Sequence, residues 1–380
     1  MIDENRLTRL FCELVAIDSP SRGERQMADR VTVLLRELGC EVEEDQAGQA
    51  IGGNCGNLYA RLAGTLPGAP LLLSVHLDTV EPSAGKQALI GEDGVIRSSG
   101  RTILGADDLA GVTAILEAIR STREKAIPHR SLEILLTVAE EQHLTGSHHL
   151  EVHRLKAREA YVLDTSGEPG LAVLQAPGHI ALTFEIQGQA AHAGIAPETG
   201  ISAIQVAARG IAAMQLGRVN AVTTANIGRI EGGGETNVVA DYCRVTAECR
   251  SLDTASLRLQ ADHMRSAMLT AAEAAGARVD VVETPSYQPY QVDPNHRVVR
   301  SFVTACEELG LKVRLTSTGG GSDNNILSLH GITGIVLSCG MAKVHSCQEE
   351  IRIRDLVDTA RLVQALICQP SPESTERLNK

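Results

Sequence analysis

The chain has 380 residues, more than a single ordinary hydrophobic core accommodates, so we expect two domains. Apolar residues make up 43% and charged residues 22%, as in a soluble globular protein. The formal net charge of −12 argues against a nucleic-acid partner, because binding phosphate needs a basic surface. The same charge gives no support for binding to an anionic membrane surface.

The chain begins MIDENR, and no apolar segment of signal-peptide or membrane-spanning length follows. Its nine cysteines are scattered without the regular spacing of a disulfide framework. These features predict a cytoplasmic protein with reduced thiols and no membrane partner.

The first part of the chain predicts helices followed by an α/β pattern. Apolar residues recur at helical spacing on both sides of the Ser19-Pro20-Ser21 interruption, which predicts two helices between Leu7 and Leu38. Further on, short apolar runs alternate with helical segments, which predicts an α/β sheet with helices on both faces. The strands are predicted at 40–43, 71–75, 132–138, 161–163 and 334–338, with helices at 110–119 and after the polar residues that follow 138.

From about residue 178, strands alternate apolar and polar residues instead. The predicted order is strand 179–186, helix 201–214, strands 223–230 and 242–250, helix 254–275 and strand 278–283. This β-α-β-β-α-β order predicts a small ferredoxin-like α+β domain. We assign it residues 177–289, inserted into an α/β domain made of 1–176 and 290–380.

Acidic and histidine residues follow the strands of the predicted α/β domain. His76 and Asp78 follow 71–75, Asp107 and Asp108 precede 110–119, Glu140 and Glu141 follow 132–138, Asp164 follows 161–163, and His345 follows 334–338. In open α/β sheets, ligands bind outside the carboxyl ends of the strands. These side chains are therefore expected to converge on one crevice.

The residue types suit two divalent metals. Zinc accepts imidazole and carboxylate ligands, and a carboxylate can bridge two ions about 3.5–4 Å apart. A hydrolase also needs a general base for the attacking water, and Glu140 and Glu141 can divide the two roles. Taken singly, each motif has an ordinary alternative: a hydrogen-bonded surface pair, a helix cap or a solvated charge.

Over nearly its whole length the chain resembles the co-catalytic zinc exopeptidases, the family of peptidase T, glutamate carboxypeptidase, aminoacylase and acetylornithine deacetylase. The GADD and HLDTV forms are most similar to the peptidase T-like branch. The resemblance is carried by Asp164 and by SVHLDTV at 74–80, GADD at 105–108, AEE at 139–141, AHAG at 191–194, NVV at 237–239, RSLD at 250–253, GGGSDN at 319–324 and HS at 345–346.

The resemblance implies a catalytic domain with a mixed central sheet flanked by helices, and two Zn²⁺ ions, with Co²⁺ or Mn²⁺ as other possible occupants. Asp107 would bridge the two ions. His76 and Asp164 would complete the ligands of one ion, and Glu141 and His345 those of the other.

Three further residues have implied catalytic roles. Glu140 would be the general base that deprotonates the metal-bridging water and then protonates the leaving amine. Asp78 would orient the ring of His76 without touching metal. His192 would help to stabilise the tetrahedral oxyanion, either in its own site or in that of a partner subunit.

The inserted domain is implied to be a lid that also forms a homodimer. Arg250 and Asn237 would bind the carboxylate or backbone of the substrate, and an Arg suits a carboxylate because it donates two parallel hydrogen bonds. Gly320 and Ser322 belong to a Gly-rich run that is either a backbone nest for a substrate oxygen or a plain flexible turn.

The resemblance therefore predicts a metallo-exopeptidase that cleaves short peptides, with a tripeptide aminopeptidase as the leading hypothesis. One alternative keeps the chemistry and changes the substrate to an N-acyl amino acid or a C-terminal glutamate amide. Another is a non-catalytic metal-binding homologue, which the presence of Glu140 beside Glu141 disfavours.

Overall fold

A computed structural model describes residues 2–370 of the chain. Short 3₁₀ turns occupy Ser147–His149, Val152–Arg154 and Pro197–Thr199. The helices are α1 (Glu4–Val15), α2 (Arg25–Glu37), α3 (Ala47–Ile51), α4 (Ala106–Glu124), α5 (Ala203–Ala213), α6 (Thr254–Ala275), α7 (Arg297–Leu309), α8 (Asp323–Leu329) and α9 (Ile353–Cys368).

Short strands occur throughout the same residues. They are β1 (Glu41–Glu44), β2 (Leu58–Leu62), β3 (Leu71–His76), β4 (Leu89–Ile90), β5 (Val95–Arg97), β6 (Leu132–Thr137), β7 (Glu159–Thr165), β8 (Leu171–Ala176), β9 (Gly178–Gln187), β10 (Gly217–Arg218), β11 (Thr223–Gly232), β12 (Tyr242–Ser251), β13 (Arg278–Tyr287), β14 (Tyr290–Gln291), β15 (Arg314–Ser317), β16 (Thr333–Ser338), β17 (Met341–Ala342) and β18 (Glu350–Arg352).

The chain divides into two compact units. The smaller unit comprises Gln175–Tyr290 and Thr318–Gly321, and the larger unit comprises the rest of the described residues. The last ten residues of the segment 290–380, which the sequence assigns to the α/β domain, lie outside the described residues.

The larger unit is built on a mixed sheet. Its strand order is β1-β2-β6-β3-β7-β16-β8-β14, with β15 paired to β8. The four middle strands β6, β3, β7 and β16 run parallel, whereas β2 is antiparallel to β6 and β8 is antiparallel to β16. Helix α4 packs on β3 and β7, and α8 packs on β16. The predicted α/β fold, a mixed central sheet flanked by helices, is confirmed.

The middle strands are buried because their residues are nearly all apolar. Every residue of β3 and of β6 is buried, as expected for strands covered on both faces. A separate four-stranded sheet, in the order β17-β18-β5-β4, also belongs to the larger unit.

Apart from the two-residue strand β10, the main elements of the smaller unit follow the β-α-β-β-α-β order of the ferredoxin-like motif. Its strands are arranged β10-β11-β12-β9-β13, and all neighbours are antiparallel. Helices α5 and α6 pack together and against β9 and β12 over an apolar core. Helix α6 begins where the Asp253 side chain accepts a hydrogen bond from the amide of Ser256, and it ends at Gly276 with a φ of 70°.

One predicted element is wrong. The sequence predicts a helix after the polar residues that follow the strand 132–138, but the chain there forms turns and two short 3₁₀ stretches. The backbone is left-handed at Ala139, His143 and Leu144, with φ values of 49°, 61° and 59°. Three left-handed residues within six positions are incompatible with an α-helix.

Among residues 2–370, no helix combines the length and apolar character that crossing a bilayer requires.

Candidate metal centre

The side chains predicted to form the site lie at one edge of the larger unit's sheet. Strand β3 ends at His76, β6 leads directly to Glu140 and Glu141, and β7 carries Asp164 near its end. Since β6, β3 and β7 are parallel neighbours, their carboxyl ends lie side by side. Asp107 joins them from the first turn of α4. The strand-end argument from the sequence therefore describes the observed arrangement.

Asp107 lies between two histidines. Its Oδ1 is 3.1 Å from Nε2 of His76, and its Oδ2 is 3.3 Å from Nε2 of His345. A further carboxylate accompanies each histidine: Asp164 Oδ1 is 3.8 Å from His76 Nε2, and Glu141 Oε1 is 3.0 Å from His345 Nε2. The five residues predicted as metal ligands are thus brought together, with Asp107 in the central position.

Two trios of these side chains are close enough to share an ion. The ligand atoms of His76, Asp107 and Glu141 lie within 4.8 Å of one another, as do those of His76, Glu140 and Asp164. Glu140, which the sequence assigns as a base, therefore lies beside the same histidine as the predicted ligands. Imidazole nitrogen and carboxylate oxygen are donors that zinc and related divalent ions accept.

The cluster has an excess of carboxylates, and their pKa values reflect it. Burial raises the pKa of Asp164, and the negative charges of Glu140 and Asp107 raise it further. Burial also raises the pKa of Glu140 well above its usual range; His76 opposes this shift, and the charges of Asp323 and Glu141 add to it. A bound cation would offset this crowding of negative charge.

The central carboxylate behaves differently. Burial raises the pKa of Asp107, but hydrogen bonds from His345 and His76 outweigh it and hold that pKa well below its usual range. The same contacts with Asp107 and Glu141 raise the pKa of His345 to about 10. Asp107 is therefore ionised, as a bridging ligand must be.

Asp78 supports both His76 and the glutamate pair. The backbone oxygen of Asp78 lies 2.9 Å from His76 Nδ1, so that nitrogen donates a hydrogen bond and Nε2 is the nitrogen with a lone pair to offer a metal ion. The Asp78 carboxylate accepts hydrogen bonds from the amides of Glu140 (3.0 Å) and Glu141 (3.2 Å) and from the Ser21 hydroxyl (2.6 Å). The sequence predicted that Asp78 orients the ring of His76; the backbone oxygen of Asp78 makes the shorter contact, and its carboxylate Oδ1 lies 3.5 Å from Nδ1. The amide contacts of Asp78 were not predicted.

The two residues before Glu140 are also held by side chains that the sequence did not single out. The amide of Val138 donates to Asn57 Oδ1 (3.0 Å), and the amide of Ala139 donates to Glu24 Oε1 (2.9 Å). Four consecutive amides are thus fixed by three side chains, which stabilises the left-handed turn at Ala139.

The contact between Glu24 and the Ala139 amide can be tested through the pH dependence of stability. Burial, and then the charge of Asp78, raise the pKa of Glu24 from 4.5 to about 7. The folded state therefore holds this proton more tightly, and the resulting stabilisation is present below pH 4.5 and is lost as the pH rises through 7. Glu24→Gln keeps the acceptor for the Ala139 amide but cannot ionise.

We expect metal-free Glu24→Gln to match the wild type near pH 4.5 and to exceed it above pH 7 by up to about 3 kcal/mol in free energy of unfolding. Urea unfolding at several pH values measures this difference. A difference that does not change with pH would contradict the assignment.

Glu349 holds the loop that delivers Asp107. This buried carboxylate accepts hydrogen bonds from the amides of Leu104 (2.7 Å), Gly105 (2.7 Å) and Asp107 (3.0 Å). Sequence reasoning missed Glu349, and its place four residues after His345 was the one available signal. Asp108 acts as the cap that its position suggested, because its Oδ1 accepts from the amide of Gly111 (3.3 Å).

The remaining predicted residues are distributed between the two units. His192, Asn237, Arg250 and Gly320 belong to the smaller unit, and Ser322 belongs to the larger one. His192 and Asn237 lie on adjacent segments, since the amide of Ala193 donates to the backbone oxygen of Asn237 (2.9 Å).

Arg250, Gly320 and Ser322 each have local partners. Arg250 forms an ion pair with Glu248 (3.0 Å), and the amide of Gly320 donates to Thr318 Oγ1 (3.2 Å). Ser322 is buried at the start of α8, where its amide donates to Asn325 Oδ1 (3.1 Å).

Two solved structures resemble the whole chain. Aminopeptidase PepT from Bacillus cereus ATCC 10987 is 40% identical with a TM-score of 0.89. A tripeptidase from Staphylococcus aureus subsp. aureus mu50 is 36% identical with a TM-score of 0.93. Each comparison covers 97% of this chain and 98% of the other.

Sequence relatives point the same way. The uncharacterized protein YqjE of Bacillus subtilis (strain 168) is 38% identical over 367 residues, 97% of this chain and 99% of the relative. Peptidase T of Escherichia coli (strain K12) is 27% identical over 242 residues, 54% of this chain and 59% of that protein. The model of peptidase family M20/M25/M40 matches residues 72–369. The resemblance seen in the sequence is thereby confirmed: this chain is a hydrolase that belongs to peptidase family M20/M25/M40.

Proposed function

We propose that the protein removes the N-terminal residue from tripeptide-like substrates, using two divalent ions, zinc in the first place and cobalt or manganese as alternatives. The observation that carries the proposal is the position of Asp107, whose two carboxylate oxygens face His76 and His345 at 3.1 and 3.3 Å. A carboxylate placed between two imidazoles suits a bridge between two ions. The aminopeptidase and tripeptidase structures that match the whole chain support the substrate class.

The donor set divides into two ligand groups around that bridge. His76 and Asp164 would hold one ion with Asp107, and His345 and Glu141 would hold the other. Bound ions would supply Lewis-acid activation of the attacking water and of the scissile carbonyl.

Glu140 is the proton carrier in this proposal. Its carboxylate would accept a proton from the attacking water and then give it to the leaving amine. Burial and neighbouring carboxylates raise the pKa of Glu140, which favours a group that must both take and release a proton near neutral pH. Asp78 keeps Glu140 and Glu141 in place through their amides.

The remaining predicted residues would contact the peptide substrate. Arg250 and Asn237 would bind the carboxylate or backbone of the peptide, and Gly320 and Ser322 would bind a substrate oxygen. His192 would help to stabilise the oxyanion.

The inserted segment 177–289 would serve as a lid and as the interface of a homodimer. The segments 1–176 and 290–380 would form the catalytic domain. We further propose a cytoplasmic location, in keeping with the absence of disulfides among the nine cysteines.

A substrate screen with zinc-loaded protein tests the function. The panel contains tripeptides, dipeptides, N-acetyl amino acids and peptides ending in glutamate, with chelator-treated protein as the control. We expect release of the N-terminal amino acid from tripeptides. Cleavage of N-acetyl amino acids alone would identify a deacylase, release of a C-terminal glutamate would identify a carboxypeptidase, and no cleavage of any peptide would refute the proposal.

A further inference from the structure

In the smaller unit, four polar side chains form a continuous hydrogen-bonded line that ends at Arg250. The hydroxyl of Ser286 lies 2.8 Å from His179 Nδ1, and His179 Nε2 lies 2.9 Å from Glu248 Oε2. Glu248 then accepts two hydrogen bonds from Arg250, from Nε to Oε1 (3.0 Å) and from Nη2 to Oε2 (3.1 Å). The line therefore links a buried serine to a guanidinium group.

Three neighbouring strands hold this line in place. His179 at the start of β9 pairs with Arg250 of β12 on one side and with Tyr287 of β13 on the other. The rings of His179 and Tyr287 stack with centroids 5.5 Å apart. Glu248 and Arg250 are two residues apart on β12 and so share one face of the sheet. His179 and Ser286 are buried, whereas the Arg250 side chain is 26% exposed.

The protonation pattern along the line follows from the chemistry of its members. Hydrogen bonds from His179 and Arg250 lower the pKa of Glu248 to about 2, so it is an ionised carboxylate that only accepts. His179 must therefore donate from Nε2, and as a neutral imidazole it accepts a hydrogen bond from the Ser286 hydroxyl at Nδ1. The donor and acceptor at each contact therefore determine those at the next, and Glu248 is held in one orientation.

Arg250 has donors left over. A guanidinium has five N–H groups, of which two donate to Glu248. A third, on Nη1, donates to the backbone oxygen of Gly319 (3.4 Å). Within the described part of the chain, one N–H on each terminal nitrogen is left for a ligand. Two N–H groups at the ends of a planar fork match the two oxygens of a carboxylate.

We propose that Glu248 and His179 are positioning residues that hold the Arg250 fork ready for the free C-terminal carboxylate of the peptide, an inference that rests on the proposed peptidase function. An arginine that is already ordered loses less conformational freedom when it binds its ligand. The line thereby makes the enzyme prefer peptides that end in a carboxylate over peptides that end in an amide.

Glu248 has two opposing effects on the binding of a carboxylate at Arg250. Its negative charge repels a carboxylate bound at Arg250, so removing that charge alone would strengthen binding of the carboxylate. Its hydrogen bonds orient the fork, so removing them would weaken binding. The proposal requires that orientation outweigh repulsion.

Glu248→Gln removes the charge and one hydrogen bond together, so the direction of the change in KM shows which effect is larger. A glutamine keeps the shape but turns one acceptor into a donor, which breaks a contact with either His179 or Arg250. For a tripeptide we expect KM to rise about tenfold with kcat unchanged, because the variant loses one hydrogen bond between charged groups. For the same tripeptide with a C-terminal amide we expect no change. Ser286→Ala, at the far end of the line, is expected to raise KM for the tripeptide by about threefold.

The matched control is Glu283→Gln. Glu283 lies on β13 of the same sheet and pairs with Arg258 of α6, whose Nη2 is 2.8 Å from Glu283 Oε2. This variant should leave the carboxylate preference at the wild-type value. In the double variant Arg250→Ala with Glu248→Gln, the second change should add nothing to the first, because Glu248 acts only through Arg250.

The outcomes distinguish the inference from the function on which it rests. Wild-type protein that cleaves neither tripeptide nor tripeptide amide refutes the peptidase. Wild-type protein that cleaves both equally well leaves the peptidase intact and overturns the inference. So does a Glu248→Gln variant that loses activity equally on both substrates, or one that gains preference for the carboxylate.

Discussion

Replacing Glu140 by glutamine is expected to lower kcat for tripeptide cleavage by about 10²- to 10⁴-fold while both metal ions remain bound. The amide of glutamine cannot accept a proton from the attacking water and return it to the leaving amine. The backbone contact to Asp78 is unaffected, because Asp78 accepts from the amide of residue 140 and not from its side chain. Steady-state kinetics and metal analysis of the purified variant measure the two effects.

The matched control is Glu141→Gln at the adjacent position. Glu141 lies 3.0 Å from His345, so its loss should weaken metal binding, whereas the loss of Glu140 should not. Near-full activity of Glu140→Gln would show that Glu140 is not the base. A Glu140→Gln protein that loses an ion would show instead that Glu140 is a ligand, a role open to it because it lies with His76 and Asp164 in one trio.

Asp107→Asn is expected to reduce metal content below two ions per chain and to lower kcat/KM by at least about 10³-fold. An asparagine has one oxygen and one NH₂ group, so it can ligate on the side of His76 or of His345 but not on both. The remaining site would lack the shared anion that offsets the charges of two cations. Calorimetric titration with zinc, together with tripeptide kinetics, measures the change.

Asp108→Asn is the control for that variant. Asp108 is buried next to Asp107, but its oxygens accept hydrogen bonds from the backbone amides of Gly111 and His76, not from the side chain of a predicted ligand. This variant should keep two ions and lose some stability. If Asp107→Asn and Asp108→Asn bind metal equally well, Asp107 is not the bridge.

The core of the candidate site was predictable because a local rule applies to it. His76, Glu140, Glu141 and Asp164 all lie at the end of a strand or shortly after it, and parallel strands end at a common edge. The strands themselves were predictable from runs such as 71–75 and 132–138, since strands buried on both faces must be almost wholly apolar.

The groups that hold the site in place were not predictable. Glu24 meets the amide of Ala139 across 115 residues of sequence, and Glu349 meets the amide of Asp107 across 242. A buried carboxylate that accepts backbone amides leaves no periodic pattern in the sequence. For the same reason the helix predicted after residue 138 was wrong, because Glu24 and Asp78 stabilise a left-handed turn there.

The central claim is a peptidase that needs two ions arranged around Asp107. The most direct test titrates metal-free protein with zinc and follows both tripeptide cleavage and bound zinc. We predict that zinc binding saturates at two ions per chain and that full activity is reached only at the second equivalent. Full activity at one equivalent, with no further change at the second, would contradict the account.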